Sequence, residues 1–144
     1  MDEKDLYYVA VKVFLEKEGK LLILKDGFGQ WDLPGGRLKK DEFTTSLEDV
    51  ISRKLKEELG DNITYELGKP IVFMRHEREE KTLLSDQARI FAVGYQATYI
   101  DGEIVLPSHH EEMKWVDMQT FSPEEYFTGG WLQGVKEYIQ LKVE

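Results

Sequence analysis

The stretch Leu33–Gly36 (LPGG), together with the later stretch Arg53–Gly60 (RKLKEELG), decides how this chain folds. The first stretch is a turn whose glycines let a ligand approach the backbone closely. The second reads as the end of a helix that carries two neighbouring carboxylates, Glu57 and Glu58, before a glycine stop. Turn carbonyls and carboxylates are the oxygen ligands that a hard cation such as Mg²⁺ prefers. The pair of stretches therefore predicts a metal site where the turn meets the helix, although Glu-Glu near a helix end is also typical of a solvated surface.

A capping box and an apolar stripe define the helix that leads into the second stretch. Thr45 to Glu48 has the Ser/Thr-x-x-Glu form, with Thr45 at the N-cap. Apolar residues then recur at three- and four-residue spacing, which is typical of one buried helix face. These residues are Leu47, Val50, Ile51, Leu55 and Leu59. The pattern predicts a helix over residues 46–59.

The rest of the chain alternates between strand-like and helix-like segments. Tyr7–Leu15 and Lys20–Lys25 are β-rich runs around a short polar turn, which predicts a hairpin. Further strands are predicted at 70–74, 89–99, 103–106 and 113–116, a solvated turn at 76–81, a helical turn from Ser122, and a last helix over about 130–142. This order predicts one mixed α/β domain over residues 1–144.

Composition restricts the partners. The net charge of −9 opposes sequence-independent binding to nucleic acid, which depends on Lys and Arg. There is no Cys, so disulfides and thiolate metal sites are excluded. No apolar run approaches membrane-spanning length, and the acidic start of the chain does not have the form of a leader. We therefore expect a soluble, cytoplasmic protein that binds neither nucleic acid nor membranes.

The two stretches together resemble the signature of the Nudix (MutT-like) hydrolases. The family pattern runs Gly, five residues, Glu, seven residues, Arg-Glu, an aliphatic residue, any residue, Glu-Glu, any residue, Gly. Its fixed positions are matched here by Gly36, Arg53, Leu55, Glu57, Glu58 and Gly60. The resemblance implies an α/β/α sandwich with a mixed β-sheet. It also implies a hydrolase that cleaves a diphosphate linkage in a nucleoside diphosphate linked to another moiety, a small-molecule partner, and a monomer or homodimer.

The resemblance further implies which residues form the site. Mg²⁺ or Mn²⁺ would be held by the Gly35 carbonyl, Glu57, Glu58 and a glutamate just before the late strand, with Glu112 as first choice and Glu111 as second. Arg53, Glu57 and Glu112 would be catalytic. Arg53 also stands four residues from both Asp49 and Glu57, so it could orient Glu57, belong to a surface ion-pair row, or do both. A zinc site at His109-His110 with the following glutamates is not favoured, because adjacent side chains rarely converge on one ion.

One departure from the family pattern changes the chemistry. Lys54 stands where the family has a glutamate that binds metal or acts as a base, and a protonated lysine does neither. Its ammonium can reach Glu57 and Glu58, three and four residues on, and should weaken metal binding. Two outcomes stay open: activity persists through Glu57, Glu58 and another carboxylate, or the protein is a catalytically impaired Nudix-fold module that binds a nucleotide or a protein.

Smaller questions also stay open at this stage. The loop after Gly36 is longer than in the pattern, and the pattern's first glutamate corresponds to either Glu42 or Glu48. Phe28 and Trp31 are candidates for stacking on a base, while Tyr8 and Trp115 are expected in the core. Arg37, Lys39 and Lys40 either meet phosphate oxygens or form a solvated loop.

Overall fold

A computed structural model describes residues 2–108 and 112–143, which form a mixed sheet with one α-helix on each face. The strands are β1 Tyr8–Lys17, β2 Lys20–Lys25, β3 Trp31–Asp32, β4 Gly35–Arg37, β5 Ile63–Glu79, β6 Gln87–Gly102 and β7 Glu112–Asp117. The helices are α1 Leu47–Leu59 and α2 Gly129–Val143, with turns of 3₁₀ helix at Lys40–Glu42 and Pro123–Glu125. This arrangement confirms the predicted α/β sandwich and its mixed sheet.

The turn at Leu33–Gly36 lies inside the sheet rather than beside it. β1 and β2 pair directly at their hairpin end, where Glu16 lies opposite Leu21. The two strands then diverge, and β3 and β4 fill the gap by pairing with β2 and β1 respectively. The Pro34 carbonyl accepts a hydrogen bond of 2.9 Å from the N–H of Val13 in β1. The glycine turn is therefore held by strand hydrogen bonds on both sides.

Alternation along β1 divides the apolar side chains between two cores. Val11, Val13 and Leu15 face α1, whereas Ala10 and Phe14 face α2. The Phe14 ring stacks on that of Tyr138 in α2 with 4.1 Å between centroids. Because both faces of the central strands are buried, β1 reads as a nearly continuous apolar run.

Helix α1 begins one residue later than predicted. The Ser46 hydroxyl, not that of Thr45, accepts the hydrogen bond from the Asp49 N–H at 3.1 Å, so Ser46 is the N-cap. The prediction of Thr45 was wrong because Asp49 also provides an acidic third residue, and a cap at Ser46 satisfies the first turn equally well. The end is as predicted: Gly60 has φ of +91° and its N–H donates to the Lys56 carbonyl.

Two other segments differ from the prediction. Most of the predicted turn at 76–81 belongs to β5, because its charges pair across strands, as in the 2.8 Å contact between Glu77 and Arg89. The predicted strand at 103–106 is irregular. Its apolar side chains pack into the α1 core without a partner strand, and the Val105 N–H bonds to the Leu59 carbonyl at the end of α1. Among the described residues, no helix is long and apolar enough to cross a membrane.

Candidate functional site

A buried hydrogen bond joins the glycine turn to the end of α1. The Gly35 N–H donates to Glu58 Oε1 at 2.6 Å, and Glu58 is only 9 % exposed. Gly35 has φ of +137°, and a Cβ at this position would lie 2.1 Å from the Val11 carbonyl oxygen. A glycine is therefore required for the turn to pass this close to β1. The structure places Gly35 and Glu58 together, as the sequence predicted.

Arg53 of α1 connects two carboxylates, Glu42 in the 3₁₀ turn before the helix and Glu57 one turn further along it. Its guanidinium donates twice to Glu42, at 2.6 Å from both Nε and Nη2, and once to Glu57 Oε1 at 2.9 Å. Glu42 is 8 % exposed and also accepts the Lys39 N–H. Glu42, not Glu48, therefore meets Arg53. The contacts described for Arg53 do not include Asp49, so the predicted surface row is replaced by a connection from Arg53 to the loop.

These contacts keep the carboxylates ionised. Hydrogen bonds from Arg53, and then from the Lys39 N–H, hold the pKa of Glu42 below its ordinary value. For Glu57, burial opposes ionisation, but the hydrogen bond from Arg53 and the charge of Lys54 outweigh it and lower the pKa. Both side chains are consequently anionic at neutral pH.

Lys54 lies across the second glycine of the turn. Its Nζ is 3.4 Å from Glu57 Oε2, and a Cβ added to Gly36 would be 2.3 Å from its Cε and 2.6 Å from its Nζ. The Lys54 side chain is only 20 % exposed. Both oxygens of Glu57 therefore have a cationic partner, one from Arg53 and one from Lys54. The predicted reach of Lys54 to Glu57 is confirmed.

Glu112 stands apart from these contacts. It is the first residue of β7, lies opposite Lys25 in β2, and makes an ion pair with it at 3.7 Å. Its described contacts do not include Glu57 or Glu58. Across residues 2–108 and 112–143, no three His, Asp or Glu side chains are arranged to hold a metal ion. His109, His110 and Glu111 lie outside the described residues, so the role predicted for Glu111 or Glu112 stays a prediction.

An aromatic pair with two lysines lies on the α2 side of the sheet. The rings of Trp31 and Tyr126 meet edge to face at 5.5 Å. The Nζ atoms of Lys25 and Lys114 lie 6.0 and 5.7 Å from the Trp31 centroid. Trp31 was a stacking candidate from the sequence, but its three neighbours were missed. The sequence signal for the two lysines is the alternation of β2 and β7, and using it requires knowing that these strands pair. Tyr126 follows a 3₁₀ turn and has no such signal.

Other candidates have structural partners. Arg37 makes a two-point ion pair with Glu80 at 2.7 and 2.8 Å and lies over the Tyr8 ring, so its guanidinium is already engaged. Tyr8 is 43 % exposed and not in the core as predicted, because that face of β1 carries no helix at its first residues. Trp115 packs against the α1 core, as predicted. Phe28 is exposed at a loop tip.

The opposite face of the turn is held by a half-buried ion pair that the sequence did not reveal. Lys12 is 5 % exposed, and its ammonium donates to both oxygens of Asp32 at 2.9 and 3.0 Å. The same ammonium lies 3.4 Å from the Leu33 carbonyl and 5.0 Å from the Trp131 ring centroid. The turn is thus fixed by Glu58 from one side and by Lys12 from the other.

Comparison with known proteins gives one family. A sequence profile of the NUDIX domain matches residues 6–133. No curated protein sequence matches the chain closely enough to show a relative.

Solved structures with the same fold are numerous. An ADP-ribose pyrophosphatase from Streptococcus suis 89-1591 superposes with a TM-score of 0.68 at 17 % identity, covering 96 % of this chain and 94 % of that one. The MutT protein from Methanosarcina mazei Go1 gives 0.69 at 21 % identity, over 99 % of both chains. A MutT NUDIX hydrolase from Burkholderia pseudomallei gives 0.65 at 19 % identity, over 92 % of this chain and 98 % of that one. At these identities the likeness establishes the fold.

Proposed function

Because the chain belongs to the Nudix family, we propose that it hydrolyses a diphosphate linkage in a nucleoside diphosphate joined to another moiety, with Mg²⁺ or Mn²⁺ as cofactor. The observation that carries this proposal is the hydrogen bond from Gly35 to Glu58, which brings the glycine turn to the two carboxylates of α1. This contact between the turn and the helix supports a shared site for the Gly35 carbonyl and the carboxylates of α1.

The donors at this junction fit a hard cation in kind. Glu57 is anionic, and the side chain of Glu58 lies against the turn that carries the Gly35 carbonyl. Lys54 shares this region through its contact with Glu57, so a metal ion that binds this oxygen would have to displace its ammonium. We propose Gly35, Glu57 and Glu58 as residues that hold the metal, joined by Glu112 once its side chain has left Lys25. When bound, the cation would polarise the diphosphate and stabilise the charge that develops on its oxygens.

Each remaining residue has a defined part in this proposal. Arg53 fixes the Glu57 carboxylate, and Glu42 in turn fixes the guanidinium of Arg53. Glu112 is proposed to take over from the glutamate that Lys54 replaces, accepting a proton from the attacking water. It lies at the start of β7, close to Lys25 and hence at the same end of the sheet as Trp31.

The position of Lys54 favours a second candidate function. An ammonium against Glu57 and Gly36 neutralises part of the charge that would attract a metal ion. The same fold without turnover would be a module that binds a nucleotide derivative or a protein partner.

A substrate panel separates the two candidates. Release of nucleoside monophosphate would be measured from an oxidised nucleoside triphosphate, a dinucleoside polyphosphate, a nucleotide sugar and ADP-ribose, together with the second product, which is pyrophosphate, a nucleotide or a sugar phosphate. Each is tested with Mg²⁺, with Mn²⁺ and with a chelator. We expect release from at least one compound that requires the metal. A folded protein that releases nothing from any compound would contradict the hydrolase, and a rise in Tm with the same compounds would then support the binding module.

A further inference from the structure

We infer that the Lys54 ammonium is a resident cation that takes the place of one divalent ion in this site. The inference deepens the proposed function, since it concerns the same carboxylates, but it is tested without turnover. It rests on the place that the ammonium occupies, on its partners and on the charge count of the cluster.

The Lys54 ammonium lies on the surface of the glycine turn. Lys54 is so close to Gly36 that a Cβ there would overlap its Cε and Nζ. The side chain is largely covered, because its helical neighbours Val50, Ile51 and Glu58 are buried. A lysine on a solvated helix face would instead extend into water. Here the ammonium is directed to the side of the turn on which Glu57 lies.

Each oxygen of Glu57 already has a cationic partner. Its Oε1 accepts from Arg53 at 2.9 Å, and its Oε2 faces the Lys54 Nζ at 3.4 Å. A divalent ion that binds Glu57 must compete with Lys54 for Oε2. Arg53 is less easily displaced, because Glu42 holds its guanidinium at two points.

The charges of the cluster also indicate a weak attraction for divalent ions. Glu42, Glu57 and Glu58 contribute three negative charges, while Arg53 and Lys54 contribute two positive charges. These five side chains therefore keep a single net negative charge, which the Lys39 ammonium near Glu42 reduces further, and this is little for attracting several divalent ions. A glutamate in place of Lys54 would leave three net negative charges on the same side chains. Since cation affinity follows the number of charged oxygen ligands, Lys54 sets this affinity low.

The test is Mn²⁺ binding to the substrate-free protein, measured by calorimetry and by the shift in Tm. Lys54→Glu should tighten Mn²⁺ binding by roughly tenfold or more, and the neutral Lys54→Gln should fall in between. The control is Lys56→Glu, which changes the net charge equally on the same helix at an exposed position. It should leave the affinity within about twofold of wild type, because the charge of an exposed side chain is screened by water and salt.

Several results would overturn the inference. Equal tightening by Lys54→Glu and Lys56→Glu would show a general charge effect, and no change in either would show that Lys54 does not compete with the ion. If Lys54→Glu fails to fold, Lys54→Gln decides, because unchanged Mn²⁺ affinity in that variant also contradicts the inference. A protein that binds Mn²⁺ as inferred but cleaves no substrate would uphold the inference and reject the hydrolase.

Discussion

Arg53 determines the geometry of the carboxylate site more than any other single residue described. It is the one side chain that bonds both to the loop after the glycine turn, through Glu42, and to Glu57 on α1. A planar guanidinium can serve two carboxylates at once because its donors form a fixed fork. An ammonium at the same position would have to choose between them.

The Arg53→Lys variant tests this role. It retains the positive charge but loses the two-point contact with Glu42, so we expect Tm to fall by a few degrees and the metal-dependent turnover to fall with it. Thermal unfolding and initial rates would be measured on the same preparation. An unchanged Tm would show that the loop is held in place without Arg53.

At the scale of elements, α2 is capped by a residue from a neighbouring strand. The Nδ1 atom of His76 in β5 accepts hydrogen bonds from the N–H groups of Gly130 and Trp131 at 3.1 and 3.4 Å. The ring also stacks on Trp131 with 4.4 Å between centroids. Burial lowers the pKa of His76 to about 4, although the charge of Asp32 opposes this. A neutral His76 is required because a protonated Nδ1 cannot accept these bonds.

The His76 cap makes the stability of the folded protein depend on pH. The folded protein keeps His76 neutral down to about pH 4, whereas the unfolded chain binds the proton near the ordinary value of 6.5. The free energy of unfolding should therefore fall as the pH is lowered from 6.5 to 4. After discounting for the exposed part of the ring, we expect this contribution to be about 1–2 kcal/mol.

The control variant for this prediction is His76→Asn, whose side-chain amide oxygen can accept hydrogen bonds from the same N–H groups but does not titrate. Urea unfolding of both proteins would be followed from pH 7 to pH 4. The wild type should lose more stability than the variant over this interval. Parallel curves would mean that His76 is not kept neutral by the fold.

The elements also show what the sequence could and could not predict. The α1 helix, its glycine stop and the early hairpin follow local rules of spacing and capping, and they were predicted within a few residues. The contacts of Arg53 and Lys54 were partly predicted, because Glu57 lies within one helical turn. Glu42, Lys12 and the group around Trp31 depend on how distant segments pair, and local patterns contain little of that information.

At the scale of the whole molecule, two apolar cores, one on each face of the sheet, support the strands that hold the glycine turn. Phe14 is fully buried against Tyr138 on the α2 side, while Val11 and Val13 close the α1 side. The glycine turn between β3 and β4 is inserted among these strands, so loss of either core would loosen it. The net charge of the protein acts against substrate binding, because a charge of −9 repels an anionic substrate unless cations intervene.

A matched pair of substitutions measures how much the α2 core contributes. Phe14→Ala removes a buried ring and should lower the free energy of unfolding by about 3–5 kcal/mol. The same change at Phe73, which is 63 % exposed, should cost no more than about 1 kcal/mol. Urea unfolding at neutral pH gives both values. Similar losses from the two variants would contradict the assignment of Phe14 to the core.

The most direct test of the proposed hydrolase is the turnover of Glu58→Gln beside Glu66→Gln. Glutamine at position 58 can still accept the Gly35 N–H but removes one negative charge from the metal site, whereas Glu66 lies exposed on β5. With the substrate found in the panel, we predict that Glu58→Gln loses about 100-fold or more of the metal-dependent rate, while Glu66→Gln retains it. Wild-type turnover from folded Glu58→Gln would contradict the account, because the reaction would then not depend on the carboxylates of α1.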